Sequence, residues 1–123
     1  MNYYLDTNIC IFFLRGKHPN ILSALLSHGL DSVKIPAVVA AELFYGAFKS
    51  TNPERNMRQV RDFLATFEIV PFETDSAVMY GEVRADLEKK GCNIGPNDLL
   101  IAASVLSNDG ILVTNNIGEF SRV

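Results

Sequence analysis

Short β-branched or aromatic runs alternate with longer segments of helical period, and this alternation constrains the fold more than any other feature. Residues 2–5, 33–35, 68–72 and 111–113 are typical of short strands. Strands that alternate with helices predict a parallel sheet covered by helices, because parallel neighbours need a crossover connection between them. The expected fold class is therefore α/β.

Capping residues and chain breakers mark the ends of three helices. One opens at Asn52 and Pro53, one opens at Thr74 or Asp75 and ends at Gly91, and one is capped by Asn97 and ends near Gly110. A typical domain has about 150 residues. The 123 residues of this chain therefore predict one domain, which covers residues 1–123.

The charge balance excludes one class of protein. Eleven Lys and Arg stand against 14 Asp and Glu, and the net charge of −3 is not that of a protein that coats nucleic acid through bulk positive charge. Any contact with nucleic acid is therefore expected to be local. We expect neither a membrane-spanning segment nor a secretion signal, and hence a cytoplasmic protein. Cys10 and Cys92 are expected to stay reduced.

Acidic and polar residues follow the predicted strands, at the sheet edge where α/β proteins bind ligands. Asp6 directly follows the first strand, and Asp98 lies in the first turn of its helix. Thr114, Asn115 and Asn116 follow the last strand. Because the carboxyl ends of parallel strands lie at one edge of a sheet, we expect these side chains to lie close together.

Glu42 is the only charged residue in the 14 residues 35–48. A helix that is apolar nearly all round is predicted to be buried. An ionised carboxylate is costly to bury unless it is paired or bound to a cation. No Lys or Arg lies within four positions of Glu42, so its presence there indicates a functional site.

Each of these carboxylates also has a purely structural interpretation. Glu42 could face solvent on one stripe of its helix. Asp6 could cap the helix that begins near Asn8, although Thr7 could serve that purpose as well. Asp98 could interact only with the dipole of its helix. Three isolated carboxylates in three apolar segments, all directed at one sheet edge, favour a shared site.

Carboxylates brought together repel one another unless a cation lies among them. Oxygen ligands of this kind favour Mg²⁺ or Mn²⁺ over Zn²⁺, which prefers His and Cys. His18 and His28 share no metal-ligand spacing with each other or with either cysteine, so we expect neither to be a ligand. Carboxylate-held Mg²⁺ commonly acts on phosphate oxygens. The residues therefore predict a metal-dependent phosphodiester or phosphoryl hydrolase.

Four segments in the right order resemble a known family. The opening YYLDTN, the lone Glu42, the run IGPNDLLIAA and the ending ILVTNNIGEF together resemble PIN-domain ribonucleases, and more narrowly the VapC toxins of bacterial toxin–antitoxin pairs. The resemblance implies an α/β/α sandwich, an acidic Mg²⁺ or Mn²⁺ site and endonucleolytic cleavage of RNA, with structured RNAs such as tRNA as typical targets. It also implies a homodimer and inhibition by a small antitoxin, VapB, whose C-terminal tail covers the site.

The resemblance also assigns roles to individual residues. Asp6 and Asp98 match the metal-binding aspartates of the family, and Glu42 matches the glutamate that shapes the site and acts with the metal-bound water. Asn116 falls where many relatives carry a fourth acid. An amide there can hold a water or a phosphate oxygen but adds no negative charge, which weakens the case for a second tightly held metal ion.

Two further residues are auxiliary candidates. Glu119 is a candidate replacement for the missing acid, with an exposed surface glutamate as the alternative. Thr114, at the end of the last strand, is a candidate for orienting a ligand water, with an ordinary strand-ending threonine as the alternative.

Arginines recur at every third position of the helix that follows Pro53: Arg55, Arg58 and Arg61. At 100° per residue they form a stripe opposite the apolar face of that helix. The stripe is either a solvated helix face or a phosphate-binding ridge, which Lys49 would extend. A second surface candidate is the apolar surplus of residues 9–14, part of which is expected to face a second subunit or an antitoxin.

Three functions from different classes fit the residues. The first is a metal-dependent endoribonuclease that acts as a toxin. The second is an inactive PIN module that only binds a partner or RNA, a hypothesis that the amide of Asn116 favours. The third is a phosphatase with an aspartyl nucleophile, which requires a second Asp two positions after Asp6, where this chain has Asn8.

Replacement of Arg58 and Arg61 by Ala is expected to weaken RNA binding and to flatten its salt dependence, because fewer phosphate contacts release fewer counterions. The measurement is the RNA dissociation constant over a series of salt concentrations. An unchanged salt slope would remove the arginine ridge from the RNA-binding surface.

Overall fold

The computed structural model describes residues 1–114 and 117–123, with only the backbone of residues 117 and 119. Its strands are β1 (Tyr3–Leu5), β2 (Val33–Pro36), β3 (Glu68–Val70) and β4 (Ile111–Val113). Its helices are α1 (Thr7–Leu14), α2 (Pro19–Leu26), α3 (Ala37–Phe48), α4 (Pro53–Leu64), α5 (Thr74–Lys89), α6 (Pro96–Ser107) and α7 (Ile117–Phe120), and a 3₁₀ turn covers Leu30–Ser32.

The four strands form one parallel sheet in the order β3-β2-β1-β4. Tyr4 in β1 is paired with Lys34 in β2 on one side and with Leu112 in β4 on the other. Tyr4 and Leu5 are 2% and 0% exposed, because β1 lies inside the sheet and is covered by helices. The predicted α/β class and the four strands are confirmed, and the carboxyl end of β1 leads directly into Asp6.

The helices pack in pairs around the sheet, α3 with α4 and α5 with α6, while α1 and α6 both contact α3. The predicted start of α4 is confirmed, since the Asn52 side chain accepts a hydrogen bond of 3.3 Å from the backbone N–H of Arg55. The predicted ends of α5 are confirmed as well. That helix begins at Thr74, and Gly91 follows it with a φ of 68°, a conformation that favours glycine.

The prediction that Asn97 caps α6 is wrong. The N-cap is Gly95 and the helix begins at Pro96, two residues earlier than a cap at Asn97 would place it. Proline is favoured at the first helical position because its φ is already helical and it has no N–H to satisfy. Asn97 is therefore the second residue of the helix, and its side chain is available for a contact elsewhere.

Helix α3 is buried on one face only, contrary to the expectation from its apolar sequence. Val39 and Leu43 are 0% and 4% exposed, whereas Tyr45 and Phe48 are each 65% exposed. The apolar surplus of α1 is largely used inside the protein. Its residues 9, 10 and 13 are buried, and residues 11, 12 and 14 pack against the core. Both cysteines are free thiols, and none of the described helices is both long and apolar enough to span a membrane.

Gly110 lies where the chain enters β4, directly against the ring of the buried Tyr4. A Cβ added at Gly110 would collide with Cδ2 and Cε2 of that ring. We expect Gly110→Ala to lower the free energy of unfolding by about 1–3 kcal/mol, as other overpacked sites do. The measurement is urea denaturation.

Gly81→Ala is the matched control for this prediction. Gly81 lies in α5, where an added Cβ meets nothing within 4 Å. Alanine there is expected to raise the free energy of unfolding by about 0.5–1 kcal/mol. Equal effects of the two substitutions would contradict the packing assigned to Gly110.

Candidate active site

Asp6 lies at the carboxyl end of the central strand and is only 3% exposed. Its backbone N–H donates to the carbonyl of Val113 at 3.2 Å, which continues the pairing of β1 with β4. Its Oδ1 accepts a hydrogen bond of 2.9 Å from the N–H of Ile9, so Asp6 is the N-cap of α1. Its Oδ2 accepts a hydrogen bond from the hydroxyl of Thr114. The capping role and the site role are therefore compatible, because they use different oxygens.

Thr7 is not the cap of α1, although the sequence allowed it. It is the first residue of the helix, and its hydroxyl donates a hydrogen bond of 2.7 Å to Oε1 of Glu42. Glu42 lies on the half-buried flank of α3. The other carboxylate oxygen of Glu42, Oε2, accepts a longer hydrogen bond of 3.4 Å from Nδ2 of Asn97. Glu42 is thus half-buried, and each of its carboxylate oxygens accepts a hydrogen bond.

The pKa of Asp6 is raised above its ordinary value. The largest cause is burial, which penalises the charged form, and the negative charge of Glu42 raises the pKa further. The hydrogen bonds from Thr114 and Ile9 act in the opposite direction. The salt bridges in the described part of the chain involve neither Asp6 nor Glu42. The site therefore concentrates negative charge that those residues do not neutralise.

Asp98 lies in the first turn of α6 and is half-buried. It directly follows Asn97, whose side chain contacts Glu42 in the middle of α3. Thr7 in the first turn of α1 contacts the same glutamate, so the starts of α1 and α6 both lie near Glu42. Among the side chains that the structure describes, which do not include that of Glu119, no three from His, Cys, Asp or Glu lie close enough together to form a metal-binding group. The structure brings Asp6 and Glu42 together and does not complete the expected cluster with Asp98.

The other residues named from the sequence lie partly inside and partly outside the described part of the chain. Asn116 and the side chain of Glu119 lie outside the described residues. Thr114 is half-buried beside Asp6 and donates to it. His18 and His28 pack against the rings of Phe12 and Tyr3 respectively.

The predicted arginine stripe is exposed along α4, at Arg55, Arg58 and Arg61. It is not strictly opposite the buried face, because the guanidinium of Arg61 lies 5.7 Å from the ring centre of Phe44 on α3. Lys49 lies at the end of α3, with Nζ 4.9 Å from the ring centre of Tyr45. These side chains form a cationic surface on α3 and α4.

A groove of about 440 Å³ runs between α1, α3 and α4 and reaches Glu42. Its lining includes the apolar side chains of Ile11, Leu14 and Val60 and the basic side chains of Arg15 and Lys49. Two residues of the α1 apolar surplus, Ile11 and Leu14, therefore pack against the core and also line this groove.

Sequence reasoning missed the contacts that Thr7 and Asn97 make with Glu42. The sequence offers Thr7 as an alternative to Asp6 for the cap of α1 and predicts Asn97 as the cap of α6, since Thr and Asn are common at that position. The available signal was their position in the chain: one directly follows Asp6 and the other directly precedes Asp98.

Asp6→Asn is expected to raise the melting temperature of the EDTA-treated protein by about 2–6 °C at pH 7. The pKa of Asp6 is higher in the folded state than in the unfolded state, where it is about 3.9. Below the unfolded pKa, the protonated carboxyl therefore contributes its full stability to the fold. That contribution is lost as the pH rises through the folded pKa. The asparagine amide carries no charge to bury, so this loss of stability does not occur. Its carbonyl oxygen can still accept the hydrogen bond from the N–H of Ile9. The measurement is thermal unfolding from pH 3 to pH 8.

The gain is expected to shrink as the pH falls towards 3, where the aspartate is protonated and resembles the amide. A gain that does not depend on pH, or a loss at pH 7, would contradict the burial assigned to this carboxylate.

Comparison with known proteins identifies relatives over the full length of the chain. The model of the PIN domain family matches residues 3–123. Ribonuclease VapC2 of Rickettsia felis is 43% identical over 127 residues, which cover all of this chain and 92% of the relative. A tRNA(fMet)-specific endonuclease VapC of Salmonella typhimurium is 37% identical, with coverage of 100% and 92%.

Solved structures agree with this relationship. The DNA-bound VapBC complex of Salmonella typhimurium contains a chain that matches with a TM-score of 0.94 and 36% identity, over all of this chain and 92% of that one. The VapBC2 complex of Rickettsia felis, bound to a promoter DNA fragment, gives a TM-score of 0.90 and 40% identity, with coverage of 100% and 93%. The sequence relationship and the shared fold together show that the chain belongs to the PIN-domain family and, within it, to the VapC ribonucleases.

Proposed function

We propose that this chain is a metal-dependent endoribonuclease, the toxin of a VapBC-type pair, which hydrolyses phosphodiester bonds of structured RNA. The observation that carries the proposal is the buried Asp6 carboxylate, whose pKa is raised by burial and by the charge of Glu42. Such an arrangement is costly without a function. A relative named a tRNA(fMet)-specific endonuclease supports tRNA as the substrate class.

The donor chemistry of the site fits a hard divalent cation. Asp6, Glu42 and Asp98 offer carboxylate oxygens, the ligands that Mg²⁺ and Mn²⁺ prefer. Asp6 and Asp98 would hold the ion, and Asn116 and Glu119 are further candidates. A bound ion would neutralise charge and polarise a phosphoryl oxygen of the substrate.

The side chains of the protein have separate tasks in this reaction. Glu42 accepts a proton from the water that attacks phosphorus. The bond from phosphorus to the leaving ribose oxygen breaks, its electron pair stays on that oxygen, and the oxygen takes up a proton from solvent water. Thr114 keeps the Oδ2 side of Asp6 oriented through its hydrogen bond. The Asp6 cap bond to Ile9 fixes the other oxygen. Orientation of these groups before the substrate arrives is a recognised source of rate enhancement.

The cationic surface on α3 and α4 supports RNA binding. Arg55, Arg58 and Arg61 are exposed, and they supply local positive charge to a chain whose net charge is −3. Phosphate contacts of this kind position a nucleic acid without reading its sequence. The choice of RNA therefore depends on other features of the surface.

The partner of the toxin is proposed to be a VapB-type antitoxin. The structural relatives were solved as VapBC complexes. The groove between α1, α3 and α4 is lined by apolar residues and by Glu42, which fits a peptide segment that covers the site. A homodimer and a cytoplasmic location, where RNA and antitoxin are both available, belong to the same proposal.

An inactive PIN module that only binds a partner or RNA is the second candidate. It is favoured by the lack of a three-residue metal-binding group among the residues that the structure describes, and by the amide of Asn116 in place of an acid.

Wild-type protein is expected to cleave tRNA in the presence of Mg²⁺ or Mn²⁺, and EDTA is expected to abolish the cleavage. Asp6→Asn and Asp98→Asn should each lower cleavage by at least about 100-fold, because each removes a charge that holds the ion. The measurements are mapping of RNA ends and Mn²⁺ binding by electron paramagnetic resonance, which does not depend on activity.

Asp75→Asn is the matched control, because Asp75 lies in the first turn of α5 as Asp98 does in α6. It should leave cleavage and Mn²⁺ binding unchanged. Addition of a VapB-type antitoxin should suppress cleavage by the wild-type protein. Partner binding without cleavage or Mn²⁺ binding would favour the inactive module.

A further inference from the structure

Glu42 is a flexible side chain that has to act at a defined place. It has three rotatable side-chain torsions, and it lies on the half-buried flank of α3. No salt bridge in the described part of the chain holds it. A proton acceptor of this kind needs other groups to fix its orientation.

The first such group is the hydroxyl of Thr7. It donates to Oε1 of Glu42 at 2.7 Å. Asp6 already caps α1, so the Thr7 hydroxyl is not required at the helix terminus. The bond joins residues that are 35 positions apart, and it therefore fixes α1 relative to α3.

The second group is the amide of Asn97, whose Nδ2 donates to Oε2 of Glu42 at 3.4 Å. Asn97 lies in the first turn of α6, which begins at Pro96. The two donors approach different oxygens from different helices. The carboxylate plane of Glu42 is thereby restrained against rotation.

We propose that Thr7 and Asn97 are positioning residues that set the Glu42 carboxylate relative to Asp6 and Asp98. Thr7 directly follows Asp6, and Asn97 directly precedes Asp98. Each aspartate is thus tied through its chain neighbour to the same glutamate. The first turns of α1 and α6 therefore fix the relative positions of the three carboxylates. The inference rests on the proposed function where it is tested by RNA cleavage, but a measurement of the Glu42 side-chain rotamer tests it without that function.

The alternative is that the two bonds only hold the helices together. In that case their loss would lower stability but would not act through Glu42. The two possibilities differ in one measurable respect. If Thr7 acts through Glu42, its substitution has no further effect on the reaction once the Glu42 carboxylate has been removed.

The experiment compares Thr7→Val, Thr7→Ser and Asn97→Leu, each alone and combined with Glu42→Gln. Thr7→Val is expected to lower kcat by about 10–100-fold with KM for tRNA unchanged, and Thr7→Ser, which keeps the hydroxyl, should restore activity. Asn97→Leu should have a smaller effect, because its bond is longer and more exposed. Neither substitution should reduce kcat further in the Glu42→Gln protein.

Nuclear magnetic resonance of the Glu42 methylene groups supplies a readout that does not need activity. We expect one side-chain rotamer in the wild-type protein and rotamer averaging in Thr7→Val and Asn97→Leu. Thr66→Val makes the same chemical change at an exposed residue after α4, and it should alter neither readout. Asn97→Leu changes an exposed side chain and tests the proposal even if Thr7→Val does not fold.

Two results would overturn the inference: an equal loss of kcat from Thr7→Val in the presence and absence of the Glu42 carboxylate, or an unchanged Glu42 rotamer in both variants. If the wild-type protein does not cleave RNA, the proposed function fails. The rotamer measurement still decides whether Thr7 and Asn97 position Glu42.

Discussion

The rest of the site depends on the burial of one carboxylate, that of Asp6, at the end of the central strand. Its two oxygens are held by different elements, Oδ1 by the first turn of α1 and Oδ2 by the residue that follows β4. The backbone at the same position is bonded to Val113. Asp6 therefore connects sheet, helix and site, and burial raises its pKa because these contacts replace water only in part.

Three helices from separate parts of the sequence meet at a second carboxylate, that of Glu42. The first turns of α1 and α6 bring Thr7 and Asn97 to Glu42, which projects from the flank of α3. The described salt bridges lie elsewhere on the molecule. The Glu42 charge raises the pKa of the nearby Asp6, and the chain belongs to the VapC ribonucleases.

The fold class could be predicted from the sequence because period and composition distinguish strands from helices. Periodicity carries no information on which strands are neighbours, so the order β3-β2-β1-β4 could not be predicted from the residues alone. No prediction covered Pro19–Leu26, which the structure shows to be α2. The exposed face of α3 was missed because an apolar sequence does not reveal whether another surface covers it, as Tyr45 and Phe48 show.

The candidate site was only partly predictable for a related reason. Asp6 and Glu42 were identified because an isolated carboxylate in an apolar segment is costly. The donors to Glu42 could not be identified, because a hydrogen bond between distant residues depends on the angle between two helices. Asn97 illustrates the error: its residue type suggested a cap, and the proline before it had already started the helix.

Thr7 and Asn97 lie at fixed positions in the first turns of two helices. These positions limit where residues can be inserted or deleted in the chain. Adding or deleting one residue in a helix rotates every later side chain by 100°. A change of that kind between β1 and Thr7, or between Gly95 and Asp98, would turn a donor away from Glu42 or an aspartate away from the sheet edge. Insertions should therefore be tolerated best in the connections far from these two turns, because a longer surface loop costs little free energy.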